Sequence, residues 1–179
     1  RQWSRGLGDV YKRQAKAQLS QKLDCHVDDI YRLAIFGNHS PTMFPDLENT
    51  LVVGKNAYQE INDHGWVENE FLPKIQQRGA EIIKARGASS ASSAARAACD
   101  TVKAVEHPTR SGDVFNAAVM SDGAYGMPEG IFSGFPLISD GKGSVEIVRD
   151  YSLSSFAKAG LKKTADELVE ERDLVKDLI

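Results

Sequence analysis

The stretch Gly130–Val148, GIFSGFPLISDGKGSVEIV, holds two runs rich in aliphatic and aromatic residues on either side of Ser139-Asp140-Gly141-Lys142-Gly143. Asp and Gly so clustered favour a tight turn. Gly130–Ile138 and Ser144–Val148 therefore read as two strands of an antiparallel hairpin. Just upstream, Asp113–Met120 (DVFNAAVM) supplies a third strand. An antiparallel sheet of this kind needs helices or a second layer on its apolar face.

The helices are legible on both sides of it. Ala15–Leu23 reads as a helix, followed by short aliphatic strands at Arg32–Phe36 and Asn49–Val53. Val67, Phe71, Leu72, Ile75, Ile82 and Ile83 recur at helical spacing, with Pro73 and Gly79 as expected points of distortion and Gly87 as the stop. Ser90–Val105 gives a second helix of mostly small residues, ended by Pro108. A final helix starts at the N-cap candidate Ser154 and lays Leu161, Ala165, Leu168, Val175 and Ile179 on one face, its charged residues forming a solvated face. The fold class expected is α+β, antiparallel strands packed with long helices.

Composition sets the frame for function. The chain has 179 residues, 41% hydrophobic and 26% charged, with net charge −3, which suits one globular domain with its own core. Scattered Lys and Arg with a slight acidic excess give no nucleic-acid footprint, and no apolar run approaches the length of a membrane span. Cys25 and Cys99 lack the paired spacing of a zinc site or disulfide framework, so reduced thiols in the cytoplasm are expected. Asn38-His39-Ser40 matches the N-glycosylation pattern only formally.

Two stretches bear candidate chemistry. In IFGNHSPTMFPD, Ile35–Asp46, His39 follows an apolar run and is flanked by Gly37 and Pro41. A histidine so held could be a proton-transfer base aimed into a cleft, or a loop residue with no chemical task. The serine cluster Gly87–Ala95, GASSASSAA, lacks the strand and G-x-S-x-G elbow of a strained nucleophile. Capping and close helix packing suit it better, and an anion site at a helix start is a third reading.

Several ordered motifs together resemble one family. They are AKAQLSQKL (Ala15–Leu23), GNHSPTMFPD (Gly37–Asp46), Gly65-Trp66 followed by Glu70-Phe71, QQRGAEIIKARGASSASSAA (Gln76–Ala95), SDGAYGMPEGIFSGFP (Ser121–Pro136) and the helical tail. From Ala15 to Ile179 the chain resembles the C-terminal, substrate-binding half of NAD-dependent malate dehydrogenases of the cytosolic type that also occurs in bacteria. A lactate dehydrogenase would read G-E-H-G-D-S where this chain has G-N-H-S-P-T. The resemblance implies malate and oxaloacetate as substrates, NAD as cofactor and a homodimer as the intact enzyme. It makes His39 the proton carrier, and it puts Ser89 among the residues lining the substrate pocket. His26, His64 and His107 match no motif of the family and are read as surface or structural residues.

Upstream of Ala15 the chain departs from that pattern. The family reads approximately R-L-D-x-N-R-A-K-A-Q, the Asp orienting the histidine and the final Arg clamping a substrate carboxylate. Here Tyr11 stands at the Asp position and Gln14 at the Arg position. Ser4–Gln14, SRGLGDVYKRQ, resembles the in-frame translation of a sequencing adapter, so residues 1–14 are expected to be a non-native leader and 15–179 the domain. Gly6-Leu7-Gly8 lacks the third glycine of a dinucleotide loop, and the Rossmann half that such an enzyme carries does not lie within this sequence. The chain by itself is therefore expected to be inactive. The alternatives are a free-standing α+β interaction module with a structural His39 loop, or another 2-hydroxy-acid dehydrogenase of the same superfamily.

Overall fold

A computed structural model describes residues 7–88 and 91–178. In chain order the elements are α1 (Leu7–Leu23), β1 (Ile30–Tyr31), β2 (Ala34–Phe36), β3 (Phe44–Asp46), β4 (Leu51–Val52), β5 (Lys55–Asn56), α2 (Ala57–Ile61), α3 (His64–Trp66), a π turn (Val67–Phe71), α4 (Leu72–Arg86), α5 (Ala91–Glu106), β6 (Phe115–Met120), β7 (Phe132–Ser139), β8 (Val145–Ile147) and α6 (Ser155–Leu174). The hairpin read from Gly130–Val148 forms β7 and β8, and β6 pairs on the other side of β7 from Phe115↔Leu137 to Met120↔Phe132. Two smaller sheets, β1-β4-β5 and β2-β3, complete an α+β architecture in which each strand pair is antiparallel. The core gathers Leu19, Ile30, Leu33, Phe36, Met43, Phe71, Ile75, Phe135 and Leu137 between the helices and these sheets.

Three features carry β2, and with it the loop behind it, onto the large sheet. Asn116 is fully buried in β6, and its carboxamide accepts from Ile35 N–H at 2.9 Å and donates to Leu33 C=O at 3.1 Å. Gly37 and Gly134 exchange backbone hydrogen bonds of 3.2 and 2.8 Å. A Cβ on Gly134 would lie 3.0 Å from the Gly37 carbonyl oxygen, so the two backbones meet only because that side chain is missing.

Several local expectations change. α1 starts at Leu7 and runs across Gln14 and Ala15 without a break. Its first turns are tied to distant elements: Thr101 donates to Asp9 at 2.9 Å, Lys12 donates to the Val114 carbonyl, and Arg13 reaches Asp100 and the Ser93 carbonyl at 2.8 Å each. The expected Arg32–Phe36 strand is shortened to Ala34–Phe36, since Arg32, at φ 59°, stands in the turn between β1 and β2, and Val53, at φ 50°, ends β4 at a two-residue turn into β5. Pro73 sits in the first turn of α4, where no N–H is needed, and α4 continues through Gly79; the irregular turn lies earlier, at Val67–Phe71. Gly87 does cap α4, its N–H bonding Ile83 C=O at 2.8 Å. Ile83 is half exposed, so the apolar stripe of α4 is buried only in its first half. Ser154 caps α6 as read, accepting from Ala157 N–H at 3.2 Å, while Val175 falls past the helix end and Ile179 lies outside the described residues.

Candidate functional site

His39 stands two residues beyond the Gly37–Gly134 bridge, in a loop that turns back into β3. Gly37 has φ +93°, and a Cβ there would collide with Thr164 of α6 at 2.3 Å. The loop is then fastened to α6 at alternate residues. Asn38 N–H donates to Thr164 Oγ1 at 2.8 Å, and Asn38 Nδ2 donates to Glu171 Oε1 at 2.9 Å and to Glu167 Oε2 at 3.3 Å. Ser40 and Thr42 donate their hydroxyls to the same Glu167 oxygen. These donors outweigh partial burial and hold the Glu167 carboxyl below its ordinary range. Glu167 and Glu171 thus face the loop, which corrects the expectation that all the charges of this helix form a solvated face.

The His39 side chain points the other way, toward α1. Its ring lies 5.0 Å from the Tyr11 ring at an interplanar angle of 51°. The residue is partly open to solvent, but the partial burial of its ring disfavours the charged form and pushes its pKa below the ordinary histidine value. No carboxylate among the described residues offsets that, so the ring is neutral at neutral pH and can accept a proton. His39 N–H bonds the Asn38 side-chain oxygen at 2.7 Å, which fixes the backbone at the base of the ring. Between Tyr11, His39, Asn38, Ala117 and Gly134 lies a cavity of about 40 Å³, room for about one water.

Position 11 is therefore the one that faces His39, and Tyr11 fills it with a buried aromatic ring. Gln14 is half-buried one turn on, its Oε1 sealed from solvent without a hydrogen-bond partner among the described residues. Ser89 lies outside the described residues. His26 caps the turn at Val27–Asp29, His64 packs on Tyr58 at 4.6 Å and His107 meets Lys103 C=O at 3.0 Å, which gives all three local structural tasks. Of the serine-rich segment, Ala91–Ala95 lie in the first turns of α5, where Ser93 C=O accepts from Arg13.

A wider cleft of about 740 Å³ is lined by Tyr125, Tyr151, Leu161, Lys162 and Asp166 among others. It does not include His39. Its Lys162 is committed to Asp166 at 2.7 Å, so the smaller site carries the better proton-transfer group. Among the described residues no group of three or more His, Cys, Asp or Glu could hold a metal ion, and no helix is long and apolar enough to cross a membrane.

Comparison with known proteins identifies the family. The chain is 47% identical over 165 residues to the malate dehydrogenase of Magnetococcus marinus and 45% identical to that of Cutibacterium acnes, in each case over 92% of this chain and 50% of the relative. It spans about half the length of these curated relatives. Among solved structures, malate dehydrogenase from Naegleria fowleri superposes with a TM-score of 0.88 at 38% identity, covering 95% of this chain and 52% of that one. The lactate dehydrogenase of Trichomonas vaginalis in complex with NADH and oxamate superposes with a TM-score of 0.87 at 25% identity, covering 94% and 52%. Residues 12–179 match the model of the lactate/malate dehydrogenase alpha/beta C-terminal domain, and the chain belongs to that family.

Proposed function

We propose that this chain is the substrate-side half of an NAD-dependent malate dehydrogenase and that His39 is its proton carrier. The observation that carries the reading is the facing of His39 by position 11, where the family pattern has the Asp that partners the histidine. As the C2 hydroxyl of malate is oxidised, neutral His39 takes the hydroxyl proton at a ring nitrogen; in reverse, the imidazolium protonates the carbonyl oxygen of oxaloacetate. Ser89 belongs to the substrate pocket by the same reading. The identity of 38 to 47% to the malate dehydrogenases of Magnetococcus marinus, Cutibacterium acnes and Naegleria fowleri, against 25% to the Trichomonas vaginalis lactate dehydrogenase, supports malate over lactate.

NAD enters through the family alone. The described strand pairs are all antiparallel, and no strand-to-helix connection among the described residues is a glycine-rich turn, so these residues do not fit a dinucleotide and none is assigned to it. Tyr11 cannot supply the negative charge that would stabilise imidazolium, and Gln14 cannot form the bidentate clamp of an Arg. By this reading the 179 residues alone do not turn over malate. Exposed Ile83 and Val102 on α4 and α5, and Met120 and Phe132 at the end of the large sheet, support a partner copy in the intact enzyme. We place the protein in the cytoplasm, with Cys25 and Cys99 as free thiols.

The test is a chimera in which residues 1–14 are replaced by the N-terminal half of the Magnetococcus marinus relative, restoring Asp and Arg at positions 11 and 14. The chimera should oxidise malate with NAD, and His39→Asn should lower kcat by several orders of magnitude with NAD binding nearly unchanged. Equal turnover with Asn at position 39 would refute the assignment.

A further inference from the structure

We propose that Glu167 of α6 is a positioning residue for His39, a single carboxylate that sets the direction in which the imidazole leaves its loop. The proposal rests on His39 being the proton carrier. Its basis is the pattern of anchors. Asn38, Ser40 and Thr42 bracket His39 at the preceding, following and third-following residues, and all three donate to Glu167 Oε2. One turn earlier on the same helix face, Thr164 receives Asn38 N–H and abuts Gly37; one turn later, Glu171 takes the second bond of the Asn38 amide. With its neighbours committed to α6, the His39 ring lies on the other side of the loop, against Tyr11.

A carboxylate suits this place better than a neutral acceptor. Three donors converge on one oxygen, and hydrogen bonds to an ionised acceptor are shorter and stronger than neutral ones. The charges around it are Lys163, one turn earlier on α6, and Glu171, one turn later, and the three loop groups that bond it are neutral donors. Removing the negative charge should therefore loosen the loop without creating a buried unpaired cation. The arrangement also separates two tasks: Tyr11 or its replacement tunes the ring, and Glu167 aims it.

The experiment uses the full 179-residue chain, labelled for NMR, with Glu167→Gln, Glu167→Ala and the exposed same-helix control Glu170→Gln. Three readouts are followed: the ring-to-ring nuclear Overhauser contact between Tyr11 and His39, amide exchange at Asn38, and the His39 titration midpoint. Glu167→Ala should lose the contact, speed Asn38 exchange by at least about tenfold, and bring the His39 midpoint up toward the free-histidine value as crowding is relieved. Glu167→Gln, which keeps one acceptor oxygen in the same place, should recover part of each effect, and Glu170→Gln should leave all three at wild-type values. Should Glu167→Ala fail to fold, the Gln variant alone decides the matter by the same readouts. A folded Glu167 variant with lower stability but an unchanged ring contact, exchange rate and midpoint would reduce Glu167 to a structural residue and overturn the proposal. None of these readouts requires turnover, so their failure is distinct from a failure of His39→Asn to affect the chimera.

Discussion

Placing a carboxylate back in front of His39 is the sharpest perturbation the structure offers. In Tyr11→Asp the new charge would lie at roughly the 5.0 Å that now separates the two rings. At that distance two unit charges interact by about 3 kcal/mol at an effective dielectric of 20 and by about 0.8 kcal/mol in bulk water. His39 is partly open to solvent, so a value between these applies, equivalent to a rise of about 1 to 2 units in its pKa. Tyr11 is only 8% exposed, and its loss also removes packing, so Tyr11→Asn serves as the partner variant that relieves crowding without adding charge. The imidazole Cε1 proton, followed by NMR from about pH 4 to 9, reports each titration. In the native chain burial holds the folded value below the ordinary histidine value of about 6.5, so His39 opposes folding increasingly as pH falls below that value. In Tyr11→Asp the folded value should lie above it. The sign then reverses: the contribution favours folding at low pH and is lost as pH rises through the folded pKa. If the Asp and Asn variants titrate alike, position 11 does not address the His39 ring and the geometric basis of the functional reading fails.

Two further outcomes test the fold. Gly79 lies in the middle of α4 with nothing within 4 Å of an added Cβ, so Gly79→Ala should stabilise the chain by about 1 kcal/mol in urea unfolding, and a loss of stability would show that the helix needs a break there. Asp46 is fully buried, and burial, despite donors from Glu48 N–H and from the amide and side chain of Asn49, pushes its pKa up to about 6. A raised carboxyl binds a proton more tightly when folded, so stability should fall as pH rises from about 4 to about 6, by about 3 kcal/mol relative to Asp46→Asn. Parallel urea midpoints for the two proteins across that range would contradict it.

The large sheet was legible because its turn chemistry and its apolar runs agree: Asp140 accepts from Lys142 N–H and Ser144 N–H at 2.7 and 3.2 Å and so closes the turn that the sequence suggested. β3 was not legible, since Pro45 argues against a strand and the segment pairs with β2 over only three residues. Likewise no pattern betrays a positive φ at Arg32, where the chain breaks to let Arg32 N–H reach Asp113 at 2.9 Å. At the site, His39 was visible from its flanking turn residues and from the family resemblance. Glu167 and Thr164 were not, because they meet the loop across more than 120 residues and lie on a helix whose charges read locally as solvent-facing. A helical stripe at 164, 167 and 171 is the one sequence signal that could have marked them, and it gains meaning only once its partner loop is known.

The tethering of α1 bears on the order in which the chain can assemble. Asp9, Lys12 and Arg13 find their partners 92, 102 and 87 residues further along. At translation rates of about 5 to 20 residues per second, Lys12 leaves the ribosome roughly 5 to 20 seconds before Val114 is available to it. Through that interval a 17-residue helix, marginal in isolation, must keep Val10, Ala15 and Leu19 without their native cover. α1 is thus locked only after the segments that cover it have been made, and the contacts that lock it are of the long-range kind that slow folding.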